Sequence, residues 1–451
     1  PMSCKGNRGL HVAALFVAAA ALRGDSCTGN LGENEPGPVT FRLSVSSGSG
    51  QADGESGPPS VSADGRFVAF SSKANNLASG SVGLEEVYVR DRALDVVINV
   101  SRLADIREPS KRAPCINPAL SADGRFVVFQ TAAELDGTSN PWGTENLFVR
   151  NMTDGSLRRV ANTWPDASLE HPVLSGDGRY VAFESAATNL GTWNTNSVSQ
   201  VYVADLNVSP ATIILVSRSA ASSIIGANAN ARSPHISEDG SAIVFVSRAG
   251  NLHADVPSSG PLHVYRGWPW GDPVELVSRE SGVAGTPFDR DSEAPFVNAN
   301  ATHVAFVSIA TNLGATGPAV YLRQLGGAQA TTQVASDPFV VLFPFGPGLL
   351  ISFADRVALS QDAELLVYTR MVPGVLPTDP PEDLQIIVRD LVAGSDRVVS
   401  VGPVGGPGNG FSFSGMLSSD GRWAFFQSIA DNLVLGDTNG VADVFGHGPL
   451  R

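Results

Sequence analysis

Short apolar runs separated by clusters of Gly, Asp, Asn, Ser and Pro cover most of the chain from residue 39 onward. Phe67-Val-Ala-Phe70, Val87-Tyr-Val89 and Val96-Val-Ile98 are representative: rich in β-branched and aromatic residues, bounded by turn formers, and too short for helices. The pattern predicts strands throughout, and one phrase sets their grouping. Ser62-Ala-Asp-Gly-Arg-Phe-Val-Ala-Phe70 returns at Ser121, Ser175 and Ser418, and weaker copies begin at Ser237, Asn298 and Ser360. The mean interval is about 59 residues, a spacing that signals propellers or solenoids.

Each unit predicts four short strands, at 59–62, 66–70, 86–90 and 96–101 in the first. Asp64-Gly65 supplies the positive φ that a tight hairpin needs, and Asp-Gly recurs at Asp123, Asp177, Asp239 and Asp420. An acid that repeats at the same turn in unit after unit is explained by the turn, so these Asp are not read as catalytic. Asn-Leu follows the second strand at Asn76, Asn189, Asn251, Asn312 and Asn432, and reads as a loop anchor with the Leu filling space between blades. The seventh unit runs out after Asp443-Val-Phe445, one strand short. Thr40-Phe-Arg-Leu-Ser-Val-Ser46 carries the pattern of the missing strand, and pairing it with the last unit closes a ring and removes sheet edges. The fold class is therefore all-β: a seven-bladed β-propeller over 39–451, with four-stranded antiparallel blades and an N-terminal strand completing the last. The fifth and sixth units, with Asn298-Ala-Asn-Ala and Ser360-Gln-Asp-Ala, lack the Asp-Gly, and blade identity is weakest there.

Composition changes this picture in two ways. With 43% hydrophobic residues, 47 Gly and 30 Pro the chain folds but is not mainly helical. A net charge of −14 argues against nucleic acid as a partner. Ahead of the repeats, Lys5 and Arg8 precede the apolar run Leu10–Leu22, too short to span a bilayer permanently and read as an export signal over 1–27. Residues 28–38 read as a flexible tether. A lipid anchor at Cys27 is the one membrane attachment considered, and Gly24-Asp25-Ser26 fits a lipoprotein signal poorly. Of the three Cys, Cys4 leaves with the signal, and disulfides do not organise the fold.

The phrase Pro, then Ser-x-Asp-Gly-Arg, then an apolar strand ending in Phe resembles the repeat of TolB-like propellers with WD40-like (PD40) repeats. The resemblance covers about residues 39 to 447. It implies the propeller fold and an extracytoplasmic setting, periplasmic or secreted, and it leaves function open between binding scaffolds and propellers attached to peptidases.

If the first strand of each blade lines the axis, the residues five and four before the anchoring Ser overlook the channel mouth. Those columns hold Glu170, His171, Arg232, Glu293, Asp355 and Arg356. They form a half-ring of charge suited to an amine, a peptide terminus or a cation. The plainer reading is a water-filled channel whose solvated charges balance one another. Asp437, Asn439 and Asp443 space oxygen ligands as part of a Ca2+ loop does, without the late acidic ligand, and a tight Asx turn explains them as well. His171 and His235 start strands in adjacent blades and are considered as shared metal ligands. Phe339–Phe353 and the Trp268-Pro-Trp270 pair are candidate docking aromatics. There is no Gly-x-Ser-x-Gly elbow, nor any His-x-x-x-His or Cys-x-x-Cys spacing. The sequence thus points to an exported, monomeric, non-catalytic scaffold that binds a protein or peptide, or a small ligand, at its channel mouth. The alternative is a propeller hydrolase or lyase acting on a polysaccharide or small ester through Glu170, Glu293 or Asp355.

Overall fold

The computed structural model describes residues 37–81, 83–102, 112–193, 195–257, 260–336, 340–342, 351–353, 356–373 and 382–451. The export signal with Cys27, most of the tether, most of the Phe339–Phe353 segment, and Asp355 lie outside the described residues.

The strands assemble into seven four-stranded antiparallel sheets, six of them built from four consecutive strands. Blade 1, for example, runs Ser60–Val61, Phe67–Ser72, Glu86–Asp91 and Val96–Asn99, within a residue or two of the predicted limits. Blades 5 and 6, the doubtful pair, are complete blades, at Ser292–Ser336 and Ala358–Val398. The first strand of each blade touches the first strand of the next, and the seventh touches the first, so the innermost strands form a closed ring.

The expected closure is present. Val39–Arg42 pairs antiparallel with Asp443–Gly448 as the outer strand of blade 7, Val39 opposite Gly448 and Arg42 opposite Phe445. The Arg42 guanidinium lies 3.1 Å from both Asp437 and Asp443, and all three side chains are at most 9% exposed. Across the seam to blade 1, Arg92 stacks its guanidinium 3.8 Å from the Trp423 ring centroid and 4.7 Å from that of Phe41.

The repeated phrase is a hydrogen-bonded turn. The Ser62 hydroxyl donates to Asp64 (2.7 Å) and accepts from the Phe67 N–H (2.9 Å), while Asp64 accepts the Arg66 N–H (2.9 Å) and Gly65 takes φ 68°. In blade 5, Asn298 replaces the Ser and its amide carbonyl accepts the Thr302 and His303 N–H groups. Ala301 and Ala363 then occupy the left-handed position, at φ 53° and 55°. The Asn of Asn-Leu anchors as expected: Asn76 accepts the Asp53 N–H and donates to the Gln51 carbonyl, and Asn251 and Asn432 repeat this. Leu77, Leu252 and Leu433 are buried. Between blades the core is apolar, with an aromatic of the second strand packed on one of the third, as in Phe183 and Tyr202 (5.7 Å) and Phe245 and Tyr265 (5.7 Å).

The turns do one thing more: they join one another around the axis. Ala63 N–H donates to Ala122, Ala122 to Gly176, and Gly176 to Glu238, at 2.7–3.0 Å. Asp239 donates to Ala299, Gln361 to Ser419, and Asp420 back to Ala63. The remaining step, from blade 5 to blade 6, is made by the Asn298 side-chain amide donating to the Gln361 carbonyl at 2.9 Å. The belt is narrow. A Cβ on Gly176 would stand 3.0 Å from that of Glu238 and 3.1 Å from that of Ala122. From blade 4 the Glu238 carboxylate crosses to accept the Ser419 hydroxyl of blade 7, on the far side of the ring.

Candidate functional site

Each innermost strand begins at the mouth opposite the belt, and in five blades its start is distorted in the same way. Register slips occur after Ile116, Glu170, Arg232, Glu293 and Phe413. The next residues, Asn117, His171, Ser233, Ala294 and Ser414, have φ between 49° and 57°. None is Gly, so each adopts a conformation that costs on the order of 1–3 kcal/mol and survives only where its surroundings impose it. A bulge sets two residues against one of the partner strand and re-aims the extra side chain. Glu170 and His171, consecutive in the chain, are consequently both exposed at the mouth.

These two meet a third group that the column reading missed. Glu184, opposite Glu170 on the neighbouring strand, is buried. Its carboxylate accepts the His171 Nδ1–H (2.8 Å) and, from blade 4, the Ser233 backbone N–H (2.6 Å). Glu170, His171 and Glu184 each offer a ligand atom, and these atoms lie within 4.8 Å of one another. The set of two carboxylates and an imidazole is one that could hold a cation. Burial and the neighbouring Glu184 charge raise the Glu170 pKa, while the hydrogen bond to Glu184 raises that of His171 against the opposing effect of burial. Blade 2 extends this acidic bank: Asn117 donates to Gln130 (3.0 Å), and Gln130 donates to Glu145 (2.5 Å), whose charge also acts on Glu170. The signal that would have found Glu184 and Gln130 is a polar residue just after the apolar run of the second strand, where blades 4 and 5 carry Val246 and Val307.

The rest of the half-ring divides. Arg232 pairs with Glu293 of the next blade at 3.1 Å, so those two charges answer each other. Arg356 is exposed in blade 6, and its charge opposes the rise of the His171 pKa and adds to the lowering of that of His235. The mouth is thus polarised, with an acidic bank on blades 2 and 3 and a cation on blade 6.

Below the mouth the channel is mostly apolar, with Ser60 and His235 the half-buried polar groups of that level. Two residues before each turn anchor, Val173, Phe296 and Met416 are half-buried although they belong to innermost strands. His235 stands at this level, tilted 34° against Phe296 with ring centroids 4.0 Å apart. Burial and Arg356 push its pKa down to about 3, so it is neutral. The metal-type cluster groups His171 with Glu170 and Glu184, and His235 sits deeper.

Two other expectations look different in three dimensions. Asp437, Asn439 and Asp443 do converge, but Arg42 stands between the two carboxylates and the Asn439 amide donates to Asp443 at 2.9 Å. The chain itself supplies a cation there. Of the tryptophan pair, Trp270 is exposed, whereas Trp268 is half-buried under the Arg266 guanidinium, 4.9 Å from its ring centroid.

No protein-family model and no curated protein sequence matches the chain. Solved structures do. An oligogalacturonate lyase from Vibrio parahaemolyticus matches with a TM-score of 0.53 and 12% identity, over 91% of this chain and 93% of that one. A prolyl endopeptidase matches at 0.51 and 12%, over 88% of this chain but only 50% of the other, so the present chain spans half its length. The propeller domain of the Trilobed protease from Pyrococcus furiosus matches at 0.50 and 10%, over 88% and 96%. TolB structures are among the further matches, at a TM-score of 0.38 for the Acinetobacter baumannii protein. At these identities the likeness is one of fold: a seven-bladed propeller, as the repeat implied. No helix among the described residues is long and apolar enough to cross a membrane.

Proposed function

We propose that this propeller is an exported, non-catalytic binding scaffold that takes a cationic group of a protein, peptide or small ligand at its channel mouth. The observation that carries the reading is the acidic bank. Glu170 and Glu184 are held close together, with one imidazole between two carboxylates, and a ligand cation would relieve their mutual repulsion. Export rests on the apolar run Leu10–Leu22 behind Lys5 and Arg8.

The test is direct. Binding of a fluorescent hexylamine derivative and of C-terminally labelled short peptides is followed by anisotropy, in the wild type and in Glu170→Gln. Removing one carboxylate from a charge-assisted contact should weaken binding about tenfold or more. Binding that is indifferent to Glu170→Gln would sink the assignment.

The second reading, a hydrolase or lyase, has one feature in its favour: the raised pKa of Glu170, which suits a general acid. Against it, the carboxylate nearest Glu170 is Glu184, which is buried and already accepts the His171 imidazole and the Ser233 N–H, and Glu293 is paired with Arg232.

A further inference from the structure

We infer that the channel is a blind well and that its ligand is the free amino-terminal residue of a peptide or protein, inserted end-on with its side chain in the apolar waist. This inference rests on the mouth being the binding site, and it adds the direction of insertion and the chemistry of the ligand.

The first step is the floor. A through-channel admits a threaded polymer, and a closed one admits only an end. Here the seven turns are joined in a continuous circuit of hydrogen bonds, from Ala63 through Ala122, Gly176, Glu238, Ala299 and Gln361 to Ser419 and back. The circuit is tight enough that the Gly176 position has no room for a methyl group without displacing its neighbours. Glu238 then spans what remains, bonding Ser419 from three blades away. The floor is therefore made of backbone and a crossing side chain, and it cannot widen unless hydrogen bonds break.

The second step is the wall. Between floor and mouth, Val173, Phe296 and Met416 stay partly accessible, and the one titratable group at this level, His235, is held neutral. An ammonium placed there would exchange water for apolar walls and lose its hydration, whereas an aliphatic side chain would gain with every CH₂ it buries. The well thus selects an apolar group below and a cation above.

The third step is the rim. The acidic bank of Glu170 and Glu184 lies above Val173 on the same blade. Arg356 provides positive charge on blade 6. An α-amino group joined to an apolar side chain and followed by a peptide carbonyl meets all three requirements: ammonium on the acids, side chain in the waist, carbonyl oxygen toward the cation. An internal segment has no α-ammonium, a Lys side chain entering the well would carry its charge past the acids into the apolar waist, and a bare metal ion would leave the waist unused.

The experiment uses the full chain and a C-terminally labelled peptide that begins with Leu. It is compared with its N-acetylated form, its backbone-cyclised form and a Gly-first form. Acetylation and cyclisation should each weaken binding about tenfold or more by removing the ammonium. Val173→Phe, which fills the waist, should weaken the Leu-first peptide about tenfold and leave the Gly-first peptide within about twofold. Glu170→Gln, an exposed change that leaves the fold intact, reports on the mouth separately. If acetylated or cyclic peptides bind as tightly as the free one, and that binding still falls in Glu170→Gln, end-on insertion is wrong while the mouth survives as the site. If no peptide binds, or binding ignores Glu170→Gln, the mouth assignment fails and this inference with it.

Discussion

Two alanines show how the turn tolerates departures from its own consensus. Ala301 and Ala363 take the left-handed backbone that Gly65, Gly124, Gly178, Gly240 and Gly421 take in the other blades. Without Asp-Gly, these turns keep their hydrogen bonds by other means: Asn298 stands in for the Ser, and Asp362 still accepts from Ser360 and from the Glu364 N–H. An L-residue in this conformation carries roughly 1–2 kcal/mol of steric cost that Gly avoids. Ala301→Gly and Ala363→Gly should therefore each raise stability by about 1 kcal/mol in urea unfolding, with unchanged dependence on denaturant. A decrease would show that the Cβ packs in a way that offsets the strain. At the mouth the same conformation falls on Asn117, His171, Ser233, Ala294 and Ser414, residues with no glycine-like signature, and strain there is illegible in sequence. Glu170 and His171 were legible as a charged column, but Glu184 was not, because its role comes from a neighbouring strand and from the Ser233 N–H of another blade.

The closing strand is where local pattern and long-range pairing agree most closely. Val39–Arg42 was recognisable because the last unit lacked a strand and this segment carried its pattern. What the pattern did not reveal is the ion triad behind it. Spacing alone made Asp437, Asn439 and Asp443 resemble a loop for Ca2+, since the cation they meet, Arg42, is remote in sequence and adjacent only once the ring is shut. With Asp443 fully buried and Asp437 nearly so, removing Arg42 leaves two desolvated carboxylates facing each other. Burial and the Asp443 charge already raise the Asp437 pKa. Arg42→Met should cost about 3–5 kcal/mol, read by thermal or denaturant unfolding. Adding Asp437→Asn to Arg42→Met should recover part of that loss, because one of the stranded charges is then gone. Equal destabilisation in the single and double variants would mean that Arg42 acts through packing alone.

At the scale of the molecule, the ring is held at three radii: the turn belt near the axis, the apolar layers between blades, and the outer strand contributed by the N-terminal segment. The blade count and the closure were readable from repetition. The belt was not, because hydrogen bonds between consecutive turns exist only when seven copies face a common axis. The acid that crosses it gives it a pH signature. Burial raises the Glu238 pKa above its ordinary 4.5, with the neighbouring Asp239 adding to the rise and the Ser419 hydroxyl opposing it. A carboxyl whose folded-state pKa is raised contributes stability below its ordinary pKa and loses it as pH climbs through the raised value. The melting temperature of Glu238→Gln should therefore match the wild type below about pH 4 and exceed it increasingly toward neutrality. A gap that does not change with pH would mean that the carboxylate is as well solvated in the folded ring as outside it.

The seam in blade 7 also has a consequence for how the molecule is made. Arg42 and Asp443 are 401 positions apart, so the closing strand, once synthesised, waits for a partner made 401 residues later. At ordinary elongation rates of 5–20 residues per second that wait is about 20–80 s. During it, blade 1 has no seventh neighbour, and the rings of Phe41 and Trp423 that will enclose Arg92 have not yet met. Synthesis therefore yields an unfinished arc before it yields a ring, and the cell must protect that arc from its own kind until the two ends find each other.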